Sequence, residues 1–348
     1  MNKESSLRRG LFVVDVRNSP LWRAAKHHCE MEEIALIAAS DFFAPYSLAK
    51  EISRRNIDFL IFSWRQAFDD LMTCKRSKRT LLELNPVIML LIPDHLGLDL
   101  YPELEFTRCE RADAILTTSR RLYHQYSTMN KCKQLGILHD MPNLAHLESM
   151  EKANLERNLN QVIWIGNSEW GQRQGMVDHK GLRRFVNGII DKVSESKSDV
   201  VLRLIDSAKR RVPNEIVLKE IAQSACLIVT SDSEGTCLPI LEAVALGTPV
   251  VTFNIGIADE IFTGELAERF IADRQIEGAA NLVVKVLSDF ERASLDSKIA
   301  WKKYQTQTSR DISHVLEGNF LRLGTWRSSP SHRNYFLKWN LRWLRTRI

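Results

Sequence analysis

The chain has 348 residues, of which 44% are hydrophobic and 26% are charged, and its net charge is +5. This length exceeds what one hydrophobic core usually serves and predicts two domains, and the composition excludes a disordered or fibrous protein. The six cysteines form no CxxC pair and no Cys/His cluster, which argues against a zinc site and a disulfide framework. No secretory signal and no apolar run of membrane-spanning length is visible, so we expect a cytoplasmic protein.

Short apolar runs alternate with helical patterns through the first half of the chain. Strands are predicted at 11–15, 34–38, 58–63, 87–92, 114–118 and 135–139. Helices are predicted at 20–30, 46–55 and 119–128. Strands separated by helices indicate βαβ units and therefore a parallel sheet.

The same alternation resumes after a polar stretch at 146–161, which we interpret as a linker in which helix is not excluded. Strands are predicted at 162–165, 200–205, 226–230 and 250–253, and helices at 181–193, 214–223, 238–246 and within 275–318. The resulting division is an N-terminal Rossmann-like domain (1–145), the linker (146–161), a C-terminal Rossmann-like domain (162–315) and a basic, aromatic tail (316–348). The predicted fold class is α/β, with two Rossmann-like domains facing a central cleft, where the carboxyl ends of both sets of strands would hold ligands.

One segment of the second domain combines several signals of phosphate binding. The strand that ends at Thr230 leads into a loop with Gly235, and Pro239 stands where a helix would begin. That helix would stop at Gly247. The free amides of 235–238 and the helix dipole would favour an anion such as a diphosphate.

Two carboxylates flank this turn, at Glu234 just before it and at Glu242 about one turn into the helix. A carboxylate can accept two hydrogen bonds from neighbouring hydroxyls, so one could hold a ribose and the other a sugar. The alternative is a capping carboxylate and a carboxylate on a solvated helix face.

Glu234–Val251 (EGTCLPILEAVALGTPVV) resembles the signature of the retaining GT-B glycosyltransferases of the family-4-like group, the glycosyl transferases group 1. In that signature a Glu is followed by seven residues, then Glu-Ala, then Gly-Thr-Pro-Val-Val. Three further segments are similar to elements of the family: Ile165-Gly166-Asn167 with Lys180-Gly181, Asn254–Glu260, and Pro142-Asn143. The resemblance implies the GT-B fold over about 10–315, with 1–145 as the acceptor domain and 162–315 as the nucleotide-sugar donor domain.

The resemblance also implies roles for individual residues. Glu234 would contact the donor sugar, Glu242 would bind the nucleotide ribose, and Lys180 would neutralise the leaving diphosphate. The alternative for Lys180 is an ordinary solvated lysine. The residues implied at the nucleotide are Gly166, Asn167, Lys180, Gly235, Thr236, Cys237, Leu238 and Glu242. The family retains anomeric configuration without an established protein nucleophile, so none is assigned.

The chain departs from the family pattern at several positions. Asn167 stands where the family usually has Arg, and Arg173, Arg183 or Arg184 are candidates to supply that charge. The first strand is followed not by a Gly-Gly turn but by Arg17-Asn18-Ser19-Pro20, in which Arg17 and Ser19 are candidates for the N-terminal contact.

His95 is a further catalytic candidate. It follows the strand 87–92, where the family often carries a His near the sugar or the acceptor, although here the order is Asp94-His95. The alternative is a structural histidine.

The function that follows is transfer of a sugar from a nucleotide-sugar donor, with retention, to a saccharide or lipid-linked acceptor in cell-surface polysaccharide or lipopolysaccharide synthesis. The donor is a substrate, and no cofactor is expected. Metal is not implied, because no Asp-x-Asp motif appears. Two alternatives remain: a non-catalytic GT-B-like binding or scaffold protein, and a GT-B phosphorylase or epimerase.

The basicity of the chain is concentrated in its tail. Gly318–Ile348 contains seven Lys and Arg and no acidic residue, which accounts for more than the whole net charge. Residues 333–348 place Phe336, Trp339 and Trp343 on one helical stripe among basic residues, which suits contact with an anionic membrane at its inner face. The alternative is a helix that packs on the N-terminal domain. Nucleic acid is not expected, because a single basic stripe is not a nucleic-acid-binding fold.

Overall fold

The computed structural model describes residues 9–17, 19–32, 34–129, 132–153 and 155–308. Within them the chain forms two β-sheets in which every strand pair is parallel. Helices connect successive strands, as parallel strands require. The predicted α/β class with two Rossmann-like sets of strands is confirmed.

The first sheet has six strands in the order β2-β1-β3-β4-β5-β6. The strands are β1 Gly10–Val14, β2 Ala35–Ala38, β3 Phe59–Phe62, β4 Val87–Ile92, β5 Ala114–Thr117 and β6 Leu135–Ile137. The central strands are apolar without alternation and are buried, because helices cover both faces of the sheet.

Eight helices accompany this first part of the described chain. They are α1 Pro20–Glu32, α2 Pro45–Arg55, α3 Arg65–Thr73, α4 Lys75–Leu84, α5 Leu96–Leu100, α6 Pro102–Arg111, α7 Arg120–Ser127 and α8 Leu144–Lys152. One face of the sheet packs against α1 through Ala25 and Cys29. The opposite face packs against α2, α3, α4, α6 and α7.

The second sheet has five strands in the order β11-β10-β9-β7-β8. The strands are β7 Asn158–Gly166, β8 Val201–Asp206, β9 Ser224–Val229, β10 Val250–Phe253 and β11 Ile271–Ala272. Its helices are α9 Asn187–Ser196, α10 Asn214–Ala222, α11 Leu238–Ala245, α12 Ala258–Ile261, α13 Glu265–Phe270, α14 Ile276–Ser288 and α15 Phe290–Thr308. The predicted helix at 181–193 begins as a π-helical turn, Leu182–Val186, and continues as α9.

The chain passes from one sheet to the other just after β6. Leu138 packs in the core of the first sheet, whereas Met141 packs in the core of the second. The predicted linker 146–161 contains most of α8 and the start of β7, and Leu147 of α8 is buried against the second sheet. Among the residues described here, no helix is long and apolar enough to cross a bilayer. The tail at 316–348 lies outside the described residues, and so does the segment 333–348 for which membrane contact was predicted.

Candidate functional site

The 235–238 turn lies at the carboxyl end of β9 and leads directly into α11. Pro239 occupies the first turn of that helix, where its missing N–H leaves no partner unsatisfied. The amides of the turn donate no hydrogen bond to a described residue. Cys237 has φ 67° and ψ 71°, a left-handed conformation that is strained for a residue with a side chain. The conformation of the turn is therefore imposed by its surroundings, and several of its backbone N–H groups are available to a ligand.

Gly235 is in direct contact with the first half of the chain. A Cβ at this position would lie 1.7 Å from the carbonyl oxygen of Pro93, which follows β4. Gly256, with φ 53°, approaches the same turn from the loop after β10. Only glycine permits the backbone of residue 235 to approach Pro93 so closely. The carboxyl edges of the two sheets therefore meet at this turn.

Lys180 and Glu234 form an ion pair beside the turn. The Lys180 ammonium donates to Glu234 Oε1, and Ser231 Oγ donates to the same oxygen at 2.6 Å. Both charged side chains are only 17% exposed. Burial alone lowers the pKa of Lys180, but the charge and hydrogen bond of Glu234, together with the other negative groups nearby, outweigh burial and the pKa is raised. Lys180 therefore stays an ammonium, ready to meet an anionic group.

Two contacts bring Lys180 to this position. Its carbonyl accepts a hydrogen bond from Thr230 Oγ1 at 2.8 Å, at the end of β9. The Lys180 ammonium also lies 5.0 Å from the centre of the Trp170 ring, and that ring packs against His179 at 4.5 Å. Burial lowers the pKa of His179, and the charge of Lys180 adds to this effect. The long loop that the sequence shows between Gly166 and Lys180 thus covers the ammonium with an aromatic ring.

Glu242 lies on the other side of the turn and is buried. Asn214 Nδ2 donates to Glu242 Oε1 at 3.1 Å. Burial raises the pKa of Glu242, while the Asn214 hydrogen bond and the charges of Arg23 and His146 oppose that rise. Arg23 belongs to α1 of the first sheet, so both halves of the chain contribute to the surroundings of this carboxylate.

Asp94, the neighbour of His95, interacts electrostatically with Lys180. Its negative charge contributes to the raised pKa of Lys180. Arg65 donates to Asp94 Oδ1 at 2.8 Å and to its carbonyl oxygen at 3.0 Å. His95 is buried, and its Nδ1 lies 2.6 Å from Gln125 Oε1. The predicted catalytic role of His95 therefore stays a prediction, and Asp94 is an additional candidate.

A buried ionic network fixes Arg65 behind Asp94. Glu105, which is fully buried, accepts from Arg65 at 3.0 Å, from Arg108 at 2.6 Å and from the hydroxyl of Tyr126. Arg108 also binds Asp69 at 2.6 Å. Burial alone raises the pKa of Glu105, but the charge of Arg65, the hydrogen bond from Tyr126 and the contacts with Arg108 together outweigh it, and the pKa is lowered.

The remaining predicted residues of the second half are placed as follows. Gly166 ends β7, and its carbonyl accepts from the Ser207 amide at 2.9 Å. The side-chain oxygen of Asn167 accepts from the Glu169 amide at 3.0 Å, so it stabilises its own turn.

The arginines considered as replacements for a charge at 167 are placed differently from one another. Arg184 is paired with Asp232 at 2.6 Å, and Arg274, which sequence reasoning missed, donates to the Ser231 carbonyl at 3.1 Å. Arg173 is exposed, and the Arg183 amide donates to Asp178.

The two N-terminal candidates serve local structure. Ser19 Oγ donates to Asp15 at 2.5 Å and accepts from the Trp22 amide at 3.0 Å, which stabilises the start of α1. Arg17 pairs with Asp41 at 2.9 Å.

The family model described as glycosyl transferases group 1 matches residues 209–303, which include the turn and Glu242. No curated protein matches the chain.

Three solved structures are similar in fold over nearly the whole chain. HepE from Anabaena, in complex with UDP and glucose, is 12% identical, with a TM-score of 0.57, and the match covers 92% of this chain and 100% of that one. Sucrose-phosphate synthase from Thermosynechococcus elongatus is 12% identical, with a TM-score of 0.58, covering 95% and 100%. A glycosyltransferase from Rickettsia africae is 13% identical, with a TM-score of 0.52, covering 92% and 98%.

At these identities the likeness shows the fold, and the expected GT-B architecture is confirmed. The family match falls on the part of the chain that carries the Glu-x7-Glu segment. The chain thus has the two-sheet GT-B fold, and its residues 209–303 match the family model of the glycosyl transferases group 1.

Proposed function

We propose that the protein is a retaining glycosyltransferase that moves a sugar from a nucleoside diphosphate sugar to a saccharide or lipid-linked acceptor. The observation that carries the proposal is the arrangement around the 235–238 turn. The Lys180–Glu234 pair lies on one side of the turn and Glu242 on the other, and the free amides of the turn lie between them.

Each element of the site suits one part of the donor. The ammonium of Lys180 and the amides of the turn would neutralise the diphosphate as it leaves. Glu234 Oε2 would accept from hydroxyls of the sugar, because Oε1 already accepts from Lys180 and Ser231. Glu242 would accept from the ribose hydroxyls.

The reaction breaks the bond between the anomeric carbon and the diphosphate oxygen and forms a bond from that carbon to the acceptor oxygen. The transition state resembles an oxocarbenium ion, so charge neutralisation of the leaving group contributes more than its protonation. The leaving diphosphate oxygen takes the acceptor proton, which accounts for retention without a protein nucleophile. Transfer is proposed to proceed without metal and without a cofactor beyond the donor.

The acceptor is proposed to approach from the first sheet. Asp94 lies at the end of β4 beside the turn, and Arg65 engages Asp94 Oδ1. Its other carboxylate oxygen accepts no hydrogen bond from a described residue and is suited to an acceptor hydroxyl. A role in cell-surface polysaccharide or lipopolysaccharide synthesis belongs to the proposal, because the basic, aromatic stripe in the sequence of 333–348 would suit an acceptor at a membrane surface.

A screen of UDP-, GDP-, ADP- and CMP-sugars tests the donor. Binding is measured by calorimetry and slow donor hydrolysis by release of the nucleotide. UDP-sugars come first, because HepE was solved with UDP and with UDP-glucose. A folded protein that binds none of the donors would rule out the proposal.

A non-catalytic GT-B-like protein is the second candidate, favoured by Asn167, whose side chain engages its own turn. It would bind nucleotide without hydrolysing or transferring the sugar. A phosphorylase would instead depend on inorganic phosphate, and an epimerase would alter the sugar without releasing it to an acceptor, so product analysis separates all three.

The tail gives a separate test of the membrane proposal. Vesicles of anionic phospholipid are sedimented with the full chain and with a chain shortened before Trp326. Loss of sedimentation on shortening supports an acceptor at the membrane surface, whereas equal sedimentation of both chains rejects a role for the tail.

A further inference from the structure

The hydroxyl of Thr236, inside the 235–238 turn, donates to Asp140 Oδ2 at 2.7 Å. The two residues are 3% and 6% exposed. Asp140 follows β6 of the first sheet, whereas Thr236 precedes α11 of the second. A hydrogen bond from a hydroxyl to a carboxylate shielded from water is among the stronger ones in proteins. It therefore ties the turn to the other half of the chain.

The conformation of the turn requires a stabilising contact from outside the turn. Cys237, next to Thr236, keeps a positive φ of 67° that costs roughly 1–3 kcal/mol and persists only when the surroundings enforce it. The backbone amides of the turn gain no support from hydrogen bonds to described residues. The side chain of Thr236 supplies such a bond from within the turn.

Asp140 is itself held in place. Its carbonyl accepts from the Tyr304 hydroxyl of α15 at 3.2 Å. Its neighbour His139 has Nε2 3.0 Å from Glu260, which also accepts from the Arg120 amide at 2.6 Å. The carboxylate therefore presents a fixed oxygen to Thr236.

We propose that Asp140 is a positioning residue that, through Thr236, holds the 235–238 turn with its amides directed at the nucleoside diphosphate. This inference rests on the proposed function and extends it. It assigns to the crossing segment between the two sheets a part in donor binding, although Asp140 itself touches no donor atom.

The charge of Asp140 gives the proposal a pH signature. Burial raises the pKa of Asp140 to about 6, against the hydrogen bond from Thr236 and the charge of His139. The other ionisable groups facing this pocket are Tyr304 and, through His139, Glu260. Below that pKa the carboxyl is protonated and becomes a weaker acceptor for Thr236. We expect nucleotide affinity to decrease as the pH falls from about 7 to about 5.

The test measures the Kd of UDP, GDP and ADP by calorimetry across that pH range. Thr236→Val removes the hydroxyl at nearly constant shape and should weaken binding about tenfold, while Thr236→Ser restores most of it. Asp140→Ala should match Thr236→Val, and the double variant should be no weaker than either single one, because both changes break one interaction. Asp140→Asn should show a smaller decrease in affinity over this pH range than the unaltered chain, because the contribution of Asp140 is lost while those of the nucleotide phosphate and of Glu242 remain.

Thr248→Val is the matched control, because Thr248 is a buried threonine of the same half whose hydroxyl donates to the Ile221 carbonyl at 2.9 Å. It should lower Tm as Thr236→Val does and leave the Kd unchanged. Unchanged binding by Thr236→Val, with only a loss in Tm, would overturn the inference and leave the proposed function standing. An unaltered chain that binds none of the three nucleotides would refute both.

Discussion

Lys180 and Glu234 face each other across the start of the 235–238 turn, and the ammonium of one bonds to the carboxylate of the other. The charge of Glu234 helps to keep Lys180 protonated in a site that is largely removed from water. Binding of the proposed donor would therefore have to break this ion pair. Lys180 would then bind the diphosphate and Glu234 would bind the sugar.

Replacing Glu234 should separate catalysis from binding. Glu234→Gln is expected to lower transfer at least about 100-fold, because the sugar loses a charged acceptor in the transition state. The Kd of the nucleoside diphosphate should change less than about threefold, because Lys180 and the turn remain. Steady-state transfer and calorimetry measure the two effects, with the exposed Glu268→Gln as control. Transfer at the normal rate would show that Glu234 is misassigned.

Replacing Glu242 should affect nucleotide binding, in contrast to replacing Glu234. Burial raises the pKa of Glu242 above its unfolded value, so ionisation costs folding free energy, and stability falls as the pH rises through the raised pKa. Glu242→Gln is therefore expected to raise Tm at neutral pH while weakening nucleotide binding about tenfold, through the lost ribose contact. The exposed Glu215→Gln, measured alongside by thermal unfolding and calorimetry, should change neither. A variant that binds nucleotide normally would contradict the assignment.

Glu105 is expected to be a large contributor to stability. Glu105→Gln removes the buried carboxylate that both arginines share, leaving Arg65 only Asp94 and Arg108 only Asp69 as charged partners. The change should cost about 3–5 kcal/mol in urea unfolding. In Arg79–Glu83, the side chains are 83% and 65% exposed, so Glu83→Gln should cost under about 0.5 kcal/mol.

Glu105 should also make the stability of the folded chain sensitive to acid. The pKa of Glu105 is lowered in the folded chain, so its stabilisation is present above the unfolded pKa and is lost as the pH falls through the folded value. The gap in stability between the native chain and Glu105→Gln should therefore narrow in acid. A gap independent of pH would mean that packing, not charge, causes the loss.

Relieving the strain at Cys237 should stabilise the chain. Glycine adopts φ 67° without penalty, so Cys237→Gly is expected to raise the free energy of unfolding by about 1 kcal/mol in urea. Cys226→Gly, in the middle of β9 with no positive φ, should instead destabilise. If both changes destabilise equally, the positive φ at Cys237 is not a source of strain.

Sequence patterns predicted most of the fold. Ten of the eleven strands coincide with predicted apolar runs, because strands buried on both faces read as unbroken apolar segments. The exception is β11, a two-residue strand at the edge of the sheet. Helices α3 to α6 were missed, since their apolar positions are few and are interrupted by charges.

Glu234 and Glu242 could be singled out from the sequence because they lie on one short segment, and their roles stay predictions. The buried residues that fix Arg65 and the 235–238 turn could not be singled out. Glu105 looks like a surface residue in a charged helix, and its burial depends on Arg65, 40 positions earlier. Asp140 and Thr236 meet across 96 positions, so no local pattern could pair them.

Gly235 touches the Pro93 carbonyl so closely that the two halves of the chain can meet here only because residue 235 has no side chain. Gly235→Ala would place a methyl group where that oxygen lies, although each half has its own hydrophobic core and could keep it. Such a chain would be held apart at its cleft, with both sheets intact and a larger radius of gyration. A single methyl group at residue 235 would thus keep the molecule in an open form. Solution scattering can compare the radius of gyration of this form with that of the native chain.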